Sequence, residues 1–356
     1  MDINALLTRM AELGASDLYL KVPSPPAFRI AGRTQRSGLP PLDVPTVEDL
    51  VRQMLGPREL ALLERDLQVD LSYSVDNVGR FRANVFRQLG RSAAVLRRIH
   101  TDVPACAELG LPDVVHALVM EARGLILITG ASGSGKSTTL ASMVDYRNEH
   151  STGHIVTIED PIEFLHADKG CLITQREVGL DVPSFHDALR AALRQTPDVL
   201  LLGEIRDLEA ATAALHLAET GHLVLGSLHC TNASQTIERL VQIFPSERQA
   251  EICSLMSHNL RGILAQRLVR GKEGNLVLAC EVLVGTPRVR ELLRKSDVGE
   301  LRETIAQGNR EGMQTFDQSL YILYQQGRID DETALANADS PNDLRLRMRG
   351  FVTAGR

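Results

Sequence analysis

Apolar residues open the chain at Ile3, Leu6, Leu7, Met10 and Leu13, a spacing of three and four that gathers them on one stripe of an α-helix, with Gly14 as its stop. The period then shortens. Residues 16–22 and 27–30 read as short strands on either side of a Pro-rich corner, and a helical stretch covers about 47–65. Strict alternation returns in V-D-L-S-Y-S-V at 69–75 and again over 80–86, across the turn-prone residues 76–79, so the two segments form a β-hairpin. Within it Arg80 and Arg82 share one face, with Phe81, Ala83 and Val85 on the other. A further strand at 94–99 completes a small α+β domain over residues 1–100.

A segment rich in Pro and Gly, 101–112, reads as a linker. Beyond it the alternating pattern gives way to unbroken apolar runs at 125–129, 155–159, 199–202 and 223–228, separated by amphipathic stretches of helical period. Unbroken runs belong to strands covered on both faces, and strands alternating with helices make a doubly wound α/β sheet, whose ligand loops lie at the strand C-terminal ends. This core is expected over 113–285. From 286 to 356 the chain turns helical and highly charged, an expected C-terminal appendage.

Each candidate site follows one of those runs. Residues 130–137 read G-A-S-G-S-G-K-S directly after the first. Glycines there let backbone N–H groups turn around phosphate oxygens, Lys136 supplies a point charge for the β- and γ-phosphates, and the Ser137 hydroxyl suits magnesium. A helix from Ser137 aims its positive end at the same anion. Gly133, Ser134, Gly135, Lys136, Ser137 and Thr138 are therefore the candidate nucleotide-binding residues. After the second run come Glu159, Asp160, Pro161, Ile162 and Glu163; Pro161 disfavours helix at Asp160, so the chain leaves the sheet and Glu163 becomes the candidate for orienting or deprotonating an attacking water. The third run ends in Gly203-Glu204, a Walker B arrangement in which Glu204 acts on magnesium through a bound water. His222 and His229 frame the fourth; His229, at the nucleotide end, is the candidate γ-phosphate sensor, and His222 reads as structural. Arg80 and Arg82, two guanidiniums on a small domain, are candidate fingers for charge that grows in the transition state.

Composition narrows the function classes. With 44% hydrophobic and 24% charged residues, the 356-residue chain is an ordinary globular protein of two or three domains. It has no apolar run near the roughly 20 residues of a bilayer span and no signal segment, so a cytoplasmic location is expected. A net charge of −6, no Trp and 4% aromatics weigh against a nucleic-acid translocase. Five scattered cysteines, with no C-x-x-C pair, indicate neither a disulfide framework nor a zinc knuckle. Of 39 basic residues only five are Lys, which leaves 34 Arg, many rigid forks for phosphate and interface contacts.

Taken together with Ala15-Ser16-Asp17-Leu18, Gly79-Arg80-Phe81-Arg82, Gln175-Arg176-Glu177-Val178 and Gly203-Glu204-Ile205-Arg206-Asp207, these motifs resemble the type IV pilus retraction ATPases, the PilT and PilU group of the secretion ATPases, over nearly the whole chain. The resemblance implies a PAS-like N-domain, a RecA-like core and an ATP- and Mg2+-dependent homo-hexamer whose domains rotate about the linker. It assigns Glu163 as catalytic glutamate, Glu204 as Walker B acid, His229 as His-box sensor, and Arg80 and Arg82 as the N-domain arginines. It also implies an inner-membrane pilus platform protein as partner and a position at the pilus base. Extension and type II secretion ATPases usually carry a tetracysteine zinc motif, which this sequence lacks. The ending, Asp339-Ser340-Pro341-Asn342-Asp343-Leu344-Arg345-Leu346, looks more like PilU, which implies work alongside a PilT-type ATPase. Residues 289–295 match the PilT signature A-I-R-N-L-I-R-E only partly, with Glu291 for its Asn and Lys295 for its last Glu. Thr196 stands where an acid commonly precedes the Pro-Asp of the Walker B region. The alternative of another class is a nucleotide-regulated adaptor that hydrolyses little itself.

Overall fold

The stripe of Ile3, Leu6, Leu7 and Met10 is the buried face of α1 (Ile3–Glu12), started by Asp2, whose side chain accepts the Asn4 N–H. β1 (Asp17–Leu20), β2 (Ala27–Ile30) and β3 (Arg33–Arg36) follow. The helical stretch expected over 47–65 consists of two helices, α2 (Val44–Met54) and α3 (Pro57–Asp66). Pro57 is the reason: its ring forces Gly56 into extended backbone at ψ 178°, and Leu55 is already extended at ψ 127°. The hairpin is β4 (Gln68–Val75) with β5 (Gly79–Gln88), and β6 (Arg91–Arg98) closes the sheet. All neighbours are antiparallel, in the order β3-β2-β1-β6-β5-β4. One face is core: Leu18, Leu20, Phe81, Ala83, Val85 and Leu96 pack with Leu7, Met10, Leu50 and Leu63 of the helices. Strand β3, R-T-Q-R, is wholly exposed and carries no apolar signal, which is why the pattern misses it; its charges suit an edge.

The computed structural model describes residues 1–30, 32–99 and 101–350. They divide into two units, Met1–Asp102 with Glu163–Leu165, and Val103–Ile162 with the chain from His166 onward. In the segment 101–112, Cys106 and Leu111 are buried in the core of the second unit.

That second unit begins with α4 (Val114–Val119), β7 (Gly124–Gly130), α5 (Lys136–His150), β8 (Gly153–Glu159), β9 (Cys171–Glu177) and α6 (Phe185–Ala192). Next come β10 (Val199–Leu202), α7 (Leu208–Glu219), β11 (Leu223–Leu228), α8 (Ala233–Gln242), α9 (Gln249–Asn259), β12 (Leu260–Arg270) and β13 (Leu276–Val284). The sheet order is β13-β12-β7-β11-β10-β8-β9, parallel throughout except for antiparallel β13. The unbroken apolar runs are explained by two cores. Leu125, Leu127, Leu200, Leu202 and Val224 enter one, while Ile126, Ile128, Val199, Leu201, Leu223 and Leu225 enter the other with α4 and α5. Three strands, β9, β12 and β13, go beyond the four runs read from the sequence.

The appendage comprises α10 (Pro287–Arg294), α11 (Leu301–Gln307), α12 (Phe316–Gln325), α13 (Asp331–Ala336) and α14 (Pro341–Met348). Helices α10 and α11 join the first core through Val289, Leu292, Leu293, Leu301 and Ile305. Phe316, Leu320, Leu323, Ile329, Ala334 and Leu344 instead cover Ala265, Val269, Val277 and Ala279 of the β12–β13 pair.

Candidate nucleotide site

Strand β7 is buried at all seven positions and runs directly into the glycine-rich loop, with α5 opening at Lys136, one residue before the Ser137 start expected. Gly133 and Gly135 bend the loop at φ +77° and +89°, and a Cβ at either would meet nothing within 4 Å. Backbone conformation therefore demands glycine at these positions. Ser134 Oγ is buried without a hydrogen-bond partner among the described residues. Ser137 is exposed in the first turn of α5 and Thr138 is half-buried.

Lys136, 9% exposed, donates from Nζ to the carbonyls of Gly130 and Ala131, both at 3.0 Å, and lies 3.4 Å from His229 Nδ1. An ammonium has only donors, so Nδ1 is the acceptor and the ring proton belongs on Nε2. That nitrogen faces Glu204 Oε1 at 3.3 Å. Glu204 Oε2 in turn accepts from Arg206 Nε at 2.7 Å, and Arg206 reaches Asp160 at 3.8 Å. The hydrogen bond to Glu204 raises the Arg206 pKa further above its ordinary value. Parallel neighbours β7, β11 and β10 bring these groups together because all three strands end at the same edge. The turn carrying Glu204 is tied to β11: Ser227 Oγ donates to Gly203 O at 2.5 Å and Ile205 N to Ser227 O at 2.9 Å.

The acids after β8 have separate fates. Glu159 accepts from Thr157 Oγ1 at 2.6 Å and Gln175 Nε2 at 3.2 Å, Asp160 faces Arg206, and Glu163 is exposed in the short stretch that groups with the N-terminal unit. The buried Glu177 of β9 accepts the Ile162 N–H at 3.4 Å, beside Glu163 in the chain. Arg80 and Arg82 lie opposite Ser74 and Ser72 on β5, both half-buried, with Arg82 3.7 Å from Asp70. At that distance and exposure the pair contributes little. His222, at the far end of β11 from His229, points its Nδ1 at Leu217 O (3.2 Å) and Thr220 Oγ1 (3.3 Å), the local bonding of a structural histidine.

Several residues of this site went unread in the sequence. Thr129 brackets Cys230, donating to its carbonyl at 2.9 Å and accepting its N–H at 3.0 Å, and Gln266 Nε2 donates to Thr139 Oγ1 at 2.6 Å. Thr129 hides as the last residue of an apolar run, and Gln266 lies on β12, which is not among the four apolar runs. Arg206, two residues beyond Glu204, was the one legible signal.

The family described as Type II/IV secretion system protein matches residues 68–348. The chain belongs to this family. Among similar secretion proteins, the type IV pilus ATPase PilU of Pseudomonas aeruginosa is 43% identical over 350 residues, 98% of this chain and 92% of the relative. The type IV pilus retraction ATPase PilT of the same organism is 44% identical over 344 residues, 97% and 100% of the two. A crystal structure of the pilus retraction motor PilT with bound ADP superimposes with a TM-score of 0.91 at 44% identity, covering 97% of this chain and 99% of the other.

Proposed function

We infer that this chain is an ATP-hydrolysing motor of type IV pilus retraction and twitching motility, acting as a homo-hexamer at the cytoplasmic side of the pilus base. The observation that carries the reading is the row of Lys136, His229 and Glu204 at the strand edge where the glycine-rich loop opens onto α5. A triphosphate in the loop offers Lys136 oxygens in exchange for two backbone carbonyls. The His229 ring lies beside that exchange and reports it to Glu204.

Gly133, Ser134, Gly135, Lys136, Ser137 and Thr138 hold the phosphates through N–H groups, hydroxyls and the ammonium. Hard oxygen donors at Ser137 and Glu204 fit Mg2+, with phosphate oxygens and water left to complete its shell. Bound there, the ion would neutralise developing charge on the β- and γ-oxygens. Glu163 orients the attacking water, and Arg80 and Arg82 neutralise charge from the N-terminal unit. Rotation of the two units about the linker converts the cycle into movement.

The role beside a PilT-type motor, at a platform protein of the inner membrane, rests on α10. Glu291 and Lys295 replace the Asn and Glu of the retraction signature, and Glu291 pairs with Arg288 at 3.2 Å and Lys295 at 2.7 Å, so both replaced positions take part in exposed ion pairs within the helix. No described helix is long and apolar enough to cross a membrane. Phosphate release by the purified protein tests the reading: Lys136→Ala and Glu204→Ala are each expected to lower kcat about 100-fold or more. Turnover unchanged in both would refute it. Motility of deletion and Lys136→Ala strains, with and without a PilT-type protein, separates motor from adaptor.

A further inference from the structure

Glu281 lies in the middle of β13, 4% exposed, opposite Ala265 of β12, whose small side chain leaves room for it. A buried carboxylate is costly and persists where something holds it. Here Oε1 accepts the N–H of Ala233 at 2.7 Å. Ala233 is the first residue of α8, is itself fully buried, and carries one of the helix's orphan donors. Only four residues, His229 to Asn232, separate that anchor from the end of β11. Thr129 brackets the near side of this turn at Cys230, and Asn232 caps α8 by accepting the Gln235 N–H at 2.8 Å. The turn is therefore pinned to β7 at one side and to β13 at the other.

We propose that Glu281 is a positioning residue for hydrolysis: by holding the Ala233 N–H it fixes the 229–232 turn and so keeps the His229 ring between Lys136 and Glu204. This rests on the reading of His229 as the γ-phosphate sensor. It extends the site to β13, which carries none of the candidate nucleotide-binding residues. Removing the anchor frees the turn to swing about its Thr129 bracket, which misplaces the sensor while leaving the phosphate loop, on β7 and α5, as it is.

The test compares full-length variants by ATP turnover, ADP titration and hydrogen–deuterium exchange. Glu281→Leu removes the acceptor, Glu281→Gln keeps an acceptor oxygen, and Ala233→Pro deletes the donor at a first helical position where proline is tolerated. Glu281→Leu and Ala233→Pro are expected to lower kcat about tenfold with the number and affinity of ADP sites unchanged, and Glu281→Gln to stay within about twofold of the parent. In a His229→Ala background Glu281→Leu should cost less than about twofold, because the effect runs through His229. Exchange across 229–236 should quicken in the Leu and Pro variants and not in Gln, with 124–150 unchanged. Parental kcat in both Leu and Pro variants overturns the assignment, and so does a tenfold loss that persists in the His229→Ala background. If the unmutated protein releases no phosphate, the motor reading fails instead, and the exchange data still decide whether Glu281 holds the turn.

Discussion

An ammonium that can only donate orders the row Lys136–His229–Glu204, because it decides which ring nitrogen keeps the proton and which acid receives it. The same economy of one group per neighbour explains Glu281, the buried acid least expected from the sequence. Burial is the main cause that pushes its pKa up to about 6 from an ordinary 4.5, and Asp339 adds to it; the Ala233 N–H, Arg267 and Arg302 pull the other way. A carboxyl whose folded pKa is raised binds its proton more tightly folded than unfolded. Its stabilising contribution is complete below about pH 4.5 and is lost as pH rises through about 6, a change of about 2 kcal/mol. Glu281→Gln, which cannot titrate, should lack that loss. The difference in denaturant midpoint between Glu281→Gln and the parent is therefore expected to move in favour of the variant between pH 4.5 and pH 7, and a constant difference would contradict the assignment.

At the scale of elements, β12 and β13 connect the nucleotide sheet to the C-terminal helices. Phe316 at the start of α12 is fully buried against them, and the Arg267 guanidinium of β12 sits 3.7 Å over its ring. Arg267 also pairs with Asp339 at 2.7 Å, while Asp317 accepts the Asp339 N–H at 2.7 Å and the Ser340 N–H at 3.1 Å, so the start of α14 is tied to α12 and to the sheet. Phe316→Ala should cost about 3–5 kcal/mol in this region, from lost burial and the cavity left behind. Hydrogen exchange should rise through α12, α13 and α14 and stay unchanged across β7 and α5. Uniform acceleration of the whole second unit would mean that the helices are integral to the nucleotide core.

At the scale of the whole molecule, the candidate groups are divided between two units: the loop, Glu204 and His229 in one, Arg80, Arg82 and Glu163 in the other. In a ring whose N-terminal arginines serve a neighbour's nucleotide, subunits with different lesions complement each other. Lys136→Ala and Arg80→Ala proteins, each inactive alone, should on mixing recover roughly a quarter of the parental phosphate release, since random assembly leaves that share of loops and arginines both intact. No recovery after verified subunit exchange would assign the arginines to their own chain's nucleotide or to the solvated surface.

The chain's pattern by itself determined what rests on local periodicity and on runs of apolar side chains: α1, the β4–β5 hairpin, the four central parallel strands and the loop of Gly133, Gly135 and Lys136 between β7 and α5. These are legible because a strand buried on both faces has no choice but to be apolar, and a phosphate loop has no choice but to be glycine-rich. Other features were decided by tertiary structure alone. The polar edge strand β3 and the mixed sequence of β9 follow their neighbours' hydrogen bonding more than their own pattern. Glu281, Thr129 and Gln266 become partners of the site only because β13, β12 and β7 lie side by side: Thr129 and Cys230 are 101 residues apart in sequence, Gln266 and Thr139 127, and Glu281 and Ala233 48. A hydrogen bond between strands distant in sequence leaves no period to detect.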